Sequence, residues 1–268
     1  MDHKLSTIVR RNFIAKATYF ARLLPGMHVA DTETFTVVDC GLPSDTFNVV
    51  IPKTTKFASL ADLFENRVSE FSRKRFPLAF WCWDDLVNPE LATLLHYYDL
   101  VRDETNVAMW LNLRTRPINP ASNNPLLIRG IQSPDEYDQF ADVIAELFGD
   151  SPEADQIRQY YQLISRVHVP TQPMRFYLGE YEGKIVTTGT LFLDDESAGI
   201  YDIATRPDWR GHGFGSHMFD YLLGEAHRQS ARQVVLQASA DGLGIYKRAG
   251  FVEVGTVQVY DTVAETLR

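Results

Sequence analysis

The chain has 268 residues, of which 45% are hydrophobic and 23% charged, and its formal net charge at pH 7 is −9. These proportions are typical of a soluble globular protein and exclude a disordered or low-complexity chain. No apolar run approaches the roughly 18 residues of a membrane span, no secretory signal is recognisable at the N-terminus, and Cys40 and Cys82 form no metal or redox spacing. We therefore expect a cytoplasmic protein without a membrane association or a bound metal.

The negative charge is confined to the second half of the chain. Residues 1–125 carry 14 basic and 14 acidic side chains, whereas residues 126–268 carry 12 basic and 21 acidic ones. Such a field repels nucleic acid and attracts a cationic ligand, although acidity also serves solubility alone. The charge therefore argues against a nucleic-acid partner and is compatible with an amine or a basic peptide.

Three elements are predicted in the first half. Residues 76–83 are apolar enough for a strand, and residues 107–113 for a second one. Between them, Asn88 and Pro89 are typical of a helix N-terminus and precede apolar residues at helical spacing. Residues 116–125, which contain three prolines and three asparagines, predict a linker. The chain is thereby divided into residues 1–120 and residues 121–268.

The second half alternates strands and helices in a regular order. Ser133 and the proline and acids that follow it predict a helix start, and Glu182-Gly183 predicts a tight turn between two strands. The predicted strands span residues 126–131, 176–181, 184–193, 198–205, 234–238 and 252–263. The predicted helices span residues 133–148, 152–164, 214–227 and 243–248.

A glycine-rich turn joins the predicted strand 198–205 to the helix that follows. Residues 210–216 read Arg-Gly-His-Gly-Phe-Gly-Ser. Alternate glycines let backbone N–H groups converge, and the helix adds its own unpaired N–H groups and the positive end of its dipole, so the turn is typical of a pyrophosphate site. A Walker A loop is excluded because no Gly-Lys-Ser/Thr closes the turn. The Rossmann pattern fails because the sixth position, counted from Gly211, is Ser216.

Two patterns in this half resemble the GNAT acetyltransferase family. Residues 210–215 match its Arg/Gln-x-x-Gly-x-Gly/Ala signature, and residues 246–251 match its closing Tyr-x-x-x-Gly-Phe. The resemblance implies an α/β (α+β) fold with a mixed central sheet flanked by helices, and acetyl-CoA as the acyl donor. It covers residues 121–268. For the first half, a degenerate GNAT-like domain in a tandem arrangement and an unrelated α/β domain both stay open.

The resemblance also implies the site residues. Tyr246 would be the general acid that protonates the departing thiolate. A general base is not identified, since strand alternation places Gly199 and Tyr201 on the face of Ile203 and turns Asp202 away, and water is an alternative. The donor contacts would fall on the strand before the turn, on the turn itself and on one residue where the family often has asparagine: Ile203, Ala204, Thr205, Arg210, Gly211, His212, Gly213, Phe214, Gly215, Ser216 and Ser239.

The interpretation that follows is an N-acetyltransferase that moves an acetyl group from acetyl-CoA to a primary amine by direct transfer in a ternary complex, as a monomer or homodimer. The alternative is a non-catalytic acyl-CoA sensor. An aminoacyl-tRNA donor is disfavoured because a tRNA-binding protein should carry a basic face. The sequence does not identify the acceptor.

Overall fold

The computed structural model describes residues 3–115, 125–167, 169 and 171–262. The chain forms two compact units: a larger one from Met1–Lys16 and Ala108–Val254, and a smaller one from Ala17–Val107 and Gly255–Arg268. Each unit thus takes segments from both ends of the chain. Most of the predicted linker, residues 116–124, lies outside the described residues, and the division into residues 1–120 and 121–268 stays a prediction.

The described residues contain α-helices and β-strands in alternation. The helices are α1 His3–Tyr19, α2 Phe57–Leu63, α3 Ser69–Lys74, α4 Pro89–Tyr97, α5 Glu136–Ala145, α6 Pro152–Ser165, α7 Phe214–Arg228 and α8 Leu243–Arg248. The strands are β1 His28–Asp31, β2 Phe35–Asp39, β3 Val49–Pro52, β4 Ala79–Trp83, β5 Leu100–Asn112, β6 Leu127–Gly130, β7 Met174–Tyr181, β8 Lys184–Leu193, β9 Ala198–Thr205, β10 Gln233–Ala238 and β11 Val252–Thr262. In this part of the chain, no helix combines the length and apolar character that crossing a membrane requires.

The larger unit is built on a mixed sheet in the order β5-β10-β9-β8-β7-β6. Strands β6 to β9 pair antiparallel, whereas β9 and β10 pair parallel. The predicted turn between β7 and β8 is present, with Glu182 at φ +50° and Gly183 at φ +75°. Positive φ at both positions matches the right-handed twist of the two strands, which explains the tight connection.

Helices cover both faces of this sheet. On one face, a Cβ added to Gly189 would stand 2.8 Å from Leu222 and 2.9 Å from Met218, so α7 packs directly on the backbone of β8. On the other face, the Phe176 ring lies 5.2 Å from the ring of Tyr137 in α5 and 6.0 Å from that of Tyr161 in α6. The apolar side chains between sheet and helices form the core of the unit.

A bulge in β9 changes which side chains share a face. Thr188 is paired with Ala204 and Thr190 with Tyr201, so that two residues of β9 lie opposite one residue of β8. Asp202, one of the two, has φ +52°. The extra residue reverses the alternation, because a Cβ on Gly199 would meet Asn12 of α1, whereas Ile203 lies against Gly215. The expectation that Gly199 and Tyr201 share the face of Ile203 is therefore wrong.

The smaller unit has a sheet in the order β1-β2-β3-β4-β11. Strands β3 and β4 are parallel, with Val49 opposite Ala79 and Val50 opposite Phe80, and α2 and α3 lie between them in the chain. Asn88 caps α4 as predicted, since its Oδ1 accepts a hydrogen bond of 2.8 Å from the Leu91 N–H. The strand–helix–parallel strand order matches that of β9, α7 and β10, but the connection from β3 to α2 contains no glycine.

Candidate functional site

The glycine-rich turn lies between β9 and α7, as predicted. Gly211 and Gly213 have φ angles of +80° and +78°, and a Cβ added to either would meet nothing within 4 Å. Glycine is needed there for the backbone conformation and not for lack of room. The turn is therefore an exposed, bare stretch of backbone that another molecule can approach closely.

Among the described residues, no side chain caps the first turn of α7. Gly213 is its N-cap residue and offers no side chain to the helix, while its carbonyl accepts from the His217 N–H at 3.0 Å. The preceding N–H groups, those of Phe214, Gly215 and Ser216, have no acceptor within the helix. Together with the dipole of a 15-residue helix, they make this end of α7 suited to an anion.

Side chains around the turn keep its backbone accessible. The Arg210 side chain is exposed, with its Nε 3.4 Å from the Thr205 carbonyl. His212 Nδ1 lies 3.2 Å from the Trp209 carbonyl and 3.1 Å from that of Arg210, so Nδ1 must carry a hydrogen. The His212 ring also stacks on Phe214 at 5.7 Å and 17°. His212 thus packs back onto its own loop.

Strands β9 and β10 separate next to this turn. Their parallel pairing covers two residue pairs, Ala198 with Val234 and Gly199 with Val235, although β9 continues to Thr205 and β10 to Ala238. Gln237 of β10 directs its side chain towards Tyr201. Beyond their two paired positions β9 and β10 no longer bond each other, so the opening suits an extended ligand that brings its own amide groups.

The three strand residues predicted to contact the donor lie beside the opening. The Ala204 carbonyl already accepts a hydrogen bond of 2.6 Å from Thr187 Oγ1. A Cβ on Gly215 would stand 3.3 Å from Thr205 Oγ1 and 3.8 Å from Ile203 Cγ2, so the side chains of these strand residues reach the first turn of α7. The strand and turn parts of the predicted site therefore form one continuous surface.

Tyr246 lies on α8 and is half-buried. Its ring meets that of Phe219 edge-on at 5.0 Å and lies 6.2 Å from that of Phe251. Burial raises the pKa of the Tyr246 hydroxyl above its ordinary value, so the phenol keeps its proton at neutral pH. A Cβ on Gly242 would stand 2.9 Å from the ring, which explains glycine at that position.

Ser239 follows β10 directly and is exposed. Its carbonyl accepts from the N–H groups of Gly242 and Leu243 at 3.2 and 3.1 Å, where α8 begins. Ser239 and Tyr246 are thus both positioned by the short connection from β10 into α8. Their roles as donor-binding residue and general acid stay predictions.

Sequence reasoning missed a polar cluster that links α1 to β9. Asn12 is fully buried and accepts a hydrogen bond of 2.7 Å from the Tyr201 hydroxyl, and Lys16 lies 3.4 Å from Asp202. Residues 12 and 201 are 189 positions apart, and the sequence gives no local signal for such a contact. No group of three or more His, Cys, Asp or Glu side chains in the described ranges is arranged to hold a metal ion.

Comparison with known proteins agrees with this geometry. Residues 140–251 match the model of the Acetyltransferase (GNAT) family. A mycothiol acetyltransferase from Rothia mucilaginosa (strain DY-18) is 28% identical over 114 residues, which is 41% of this chain and 32% of that protein. The chain thus spans about a third of that relative's length.

Two solved structures share the fold across most of the chain. A GCN5-related N-acetyltransferase from Kribbella flavida superimposes with a TM-score of 0.65 at 16% identity, over 94% of this chain and 95% of that one. A tandem GNAT protein from the clavulanic acid biosynthesis pathway gives a TM-score of 0.57 at 14% identity, over 92% and 87% of the two chains. These likenesses confirm the predicted fold class. Residues 140–251 thus form a GNAT acyltransferase domain.

Proposed function

We propose that the protein is an N-acetyltransferase that moves an acetyl group from acetyl-CoA to a primary amine by direct transfer in a ternary complex. The observation that carries this proposal is the continuity of two features, an uncapped helix N-terminus after bare glycines and an opening between β9 and β10. The first suits the diphosphate of coenzyme A and the second suits its extended, amide-containing arm.

Donor binding in this proposal rests mainly on backbone groups. The N–H groups of residues 211–216 hold the diphosphate, and the exposed Arg210 side chain adds a positive charge next to them in a half of the chain that is acidic on balance. Along the arm, the backbone of Ile203–Thr205 supplies hydrogen bonds. Both glycines of the turn leave open the space where a side chain would collide with phosphate oxygens.

The chemistry needs a nucleophile and an acid. The neutral amine nitrogen attacks the thioester carbonyl carbon and forms the new carbon–nitrogen bond, and the carbon–sulfur bond breaks. The departing sulfur takes a proton from Tyr246, the nitrogen gives up one proton to water, and the Tyr246 phenolate regains a proton from solvent. Because burial raises the pKa of Tyr246, the phenol is protonated when the sulfur leaves, and a positioned acid of this kind contributes about 10²–10⁴-fold. The opening between the strands also excludes part of the solvent from the reacting carbonyl, which strengthens backbone stabilisation of its oxygen.

Two measurements on the full chain test the proposal. Acetyl-CoA at millimolar concentration should raise the melting temperature, and thiol release should accelerate when a panel of polyamines, amino acids, aminoglycosides and peptides is added. Tight binding without any turnover would identify an acyl-CoA sensor instead. The absence of both a thermal shift and thiol release would overturn the proposal.

A further inference from the structure

The N-terminal helix presents two polar side chains to the transferase strand β9. Asn12 and Lys16 are four residues apart and therefore lie on the same face of α1. Asn12 Nδ2 donates to Asp194 Oδ2 and to Ser197 Oγ, each at 3.0 Å, and its Oδ1 accepts from the Tyr201 hydroxyl. The bonds to Ser197 and Tyr201 are buried and the bond to Asp194 is partly buried. Together they fix this part of α1 against β9 and so determine where Lys16 is held.

Lys16 places an ammonium group between a carboxylate and an aromatic ring. Its Nζ lies 3.4 Å from Asp202 Oδ1 and 5.2 Å from the centroid of the Tyr201 ring. A carboxylate beside the face of an aromatic ring is the chemistry that binds a primary ammonium ion. The side chains of Lys16 and Asp202 are each 23% exposed, so the position is partly desolvated yet reachable from solvent.

The backbone of Asp202 is held in an unusual conformation at this position. Its φ of +52° lies in the left-handed region, which L-residues other than glycine seldom adopt because it is strained. The bulge that requires it places Asp202 on the same face as Tyr201, towards Lys16. Asp202 also directly precedes Ile203–Thr205, the residues proposed to hold the acyl donor.

A further polar group lies close to the same point. Thr190 is paired with Tyr201 across β8 and β9, and its buried Oγ1 has no hydrogen-bond partner in the described part of the chain. Gln237 of β10 directs its side chain towards the same Tyr201. The surroundings of Asp202 are therefore polar, and they include one hydroxyl that is available to a ligand.

We infer that Asp202 and the Tyr201 ring receive the ammonium group of the acceptor, and that Lys16 occupies this subsite until the acceptor displaces it. This inference rests on the proposed acetyl transfer and narrows the acceptor to a linear primary alkylammonium, because the present occupant is the end of an unbranched four-carbon chain. The ammonium must lose one proton before its nitrogen attacks, and Asp202 is assigned the docking of the charged form only. Lys16 is a specificity-determining residue and an internal competitor.

The test uses n-butylammonium chloride as the probe and the melting temperature of the full chain as the readout. Lys16→Ala should lower the half-saturating concentration of the probe by roughly two- to five-fold relative to wild type, the factor expected for a partly exposed ion pair. Lys16→Met removes the charge but keeps the aliphatic stem, and it should act in the same direction. The double variant Lys16→Ala/Asp202→Asn should not respond to the probe.

Controls separate this subsite from general salt effects. Sodium chloride at equal ionic strength and n-butanol should leave the Lys16→Ala protein unchanged. Lys53→Ala is a matched variant, since Lys53 is also 23% exposed and pairs with Asp31 at 2.6 Å without being placed in the site. It should respond to the probe as wild type does.

The acetyl-CoA thermal shift, measured on the same proteins, distinguishes the two proposals. If acetyl-CoA stabilises every variant but the probe acts equally on wild type, Lys16→Ala and the double variant, the acceptor subsite is wrong and acetyl transfer stands. If acetyl-CoA stabilises none of them and releases no thiol, acetyl transfer itself is wrong, and with it the assignment of an acceptor.

Discussion

Asn12 offers the sharpest test of how the larger unit is held together. It is fully buried, and its side chain serves Tyr201, Asp194 and Ser197 at the same time. Asn12→Ala would leave the Tyr201 hydroxyl buried without an acceptor, at a cost of about 1–3 kcal/mol, and would remove a hydrogen bond to a carboxylate that contributes a similar amount. We expect the free energy of unfolding to fall by about 2–5 kcal/mol.

That loss can be measured by thermal melting and by urea titration. For a chain of this size each kcal/mol corresponds to roughly 2–4 °C, so the melting temperature should fall by roughly 4–20 °C. Thr7→Ala, at an exposed position of the same helix whose hydroxyl bonds only the His3 carbonyl, serves as the control and should change stability by less than about 0.5 kcal/mol.

A double-mutant cycle isolates the buried hydrogen bond itself. Tyr201→Phe removes the hydroxyl and leaves Asn12 Oδ1 without its donor, whereas the pair Asn12→Ala/Tyr201→Phe leaves neither group unpaired. The double variant should therefore be less destabilised than the sum of the single variants by about 1–2 kcal/mol. Strict additivity, or an Asn12→Ala protein as stable as wild type, would refute the reasoning.

Three further outcomes are expected. Gly213→Asp should weaken acetyl-CoA binding at least about tenfold, since it adds bulk and negative charge at the N-terminus of α7. The control is Gly26→Asp, because Gly26 is also an exposed glycine of positive φ. This variant should leave the acetyl-CoA thermal shift unchanged. Tyr246→Phe should cut turnover about 10²–10⁴-fold and leave the affinity for acetyl-CoA unaltered, and the exposed Tyr97→Phe serves as the control. Because burial raises the pKa of Tyr246, the tyrosine should stay protonated as the pH rises from 7 to 9, and wild-type turnover should show no loss from its deprotonation. Burial lowers the pKa of His217 in the folded state, so as the pH falls His217 takes up a proton in the unfolded chain before it does so in the folded one. The free energy of unfolding should therefore fall as the pH drops below about 6.5. In urea titrations at pH 7, 6 and 5, His217→Gln should show a shallower fall than wild type.

Local patterns in the second half carry enough information to place most elements. The predicted bounds of β8, β9 and α8 agree with the structure, and α7 ends one residue later than predicted. These elements end at turn residues such as Gly183 and Gly213, which have positive φ. Glycine adopts positive φ without strain, so such turns can be recognised from the sequence. The predicted end of β11 at Val263 lies outside the described residues.

The predictions were weaker where distant contacts decide the structure. Strand β5 begins at Leu100, seven residues before the predicted start. The prediction missed its first part because residues 101–105 are all exposed and show no alternation of apolar and polar side chains. Helix α1 was not predicted, and its buried Asn12 finds its partners near residues 194–201. The bulge at Asp202 depends on pairing with β8 and not on the residues of β9 alone. Such features follow from tertiary packing, which a short sequence window does not record.

Each unit is built from two segments that lie far apart in the chain, and this affects when each unit can fold during synthesis. Asn12 emerges 189 residues before Tyr201, so at about 5–20 residues per second the start of α1 waits roughly 10–40 s on the ribosome for its buried partner. Strand β4 likewise awaits β11, the last strand described. Neither unit can reach its final packing until residues of β11 have been translated, and a separately expressed fragment of residues 121–268 would lack the side chains of α1 that meet Tyr201 and Asp202.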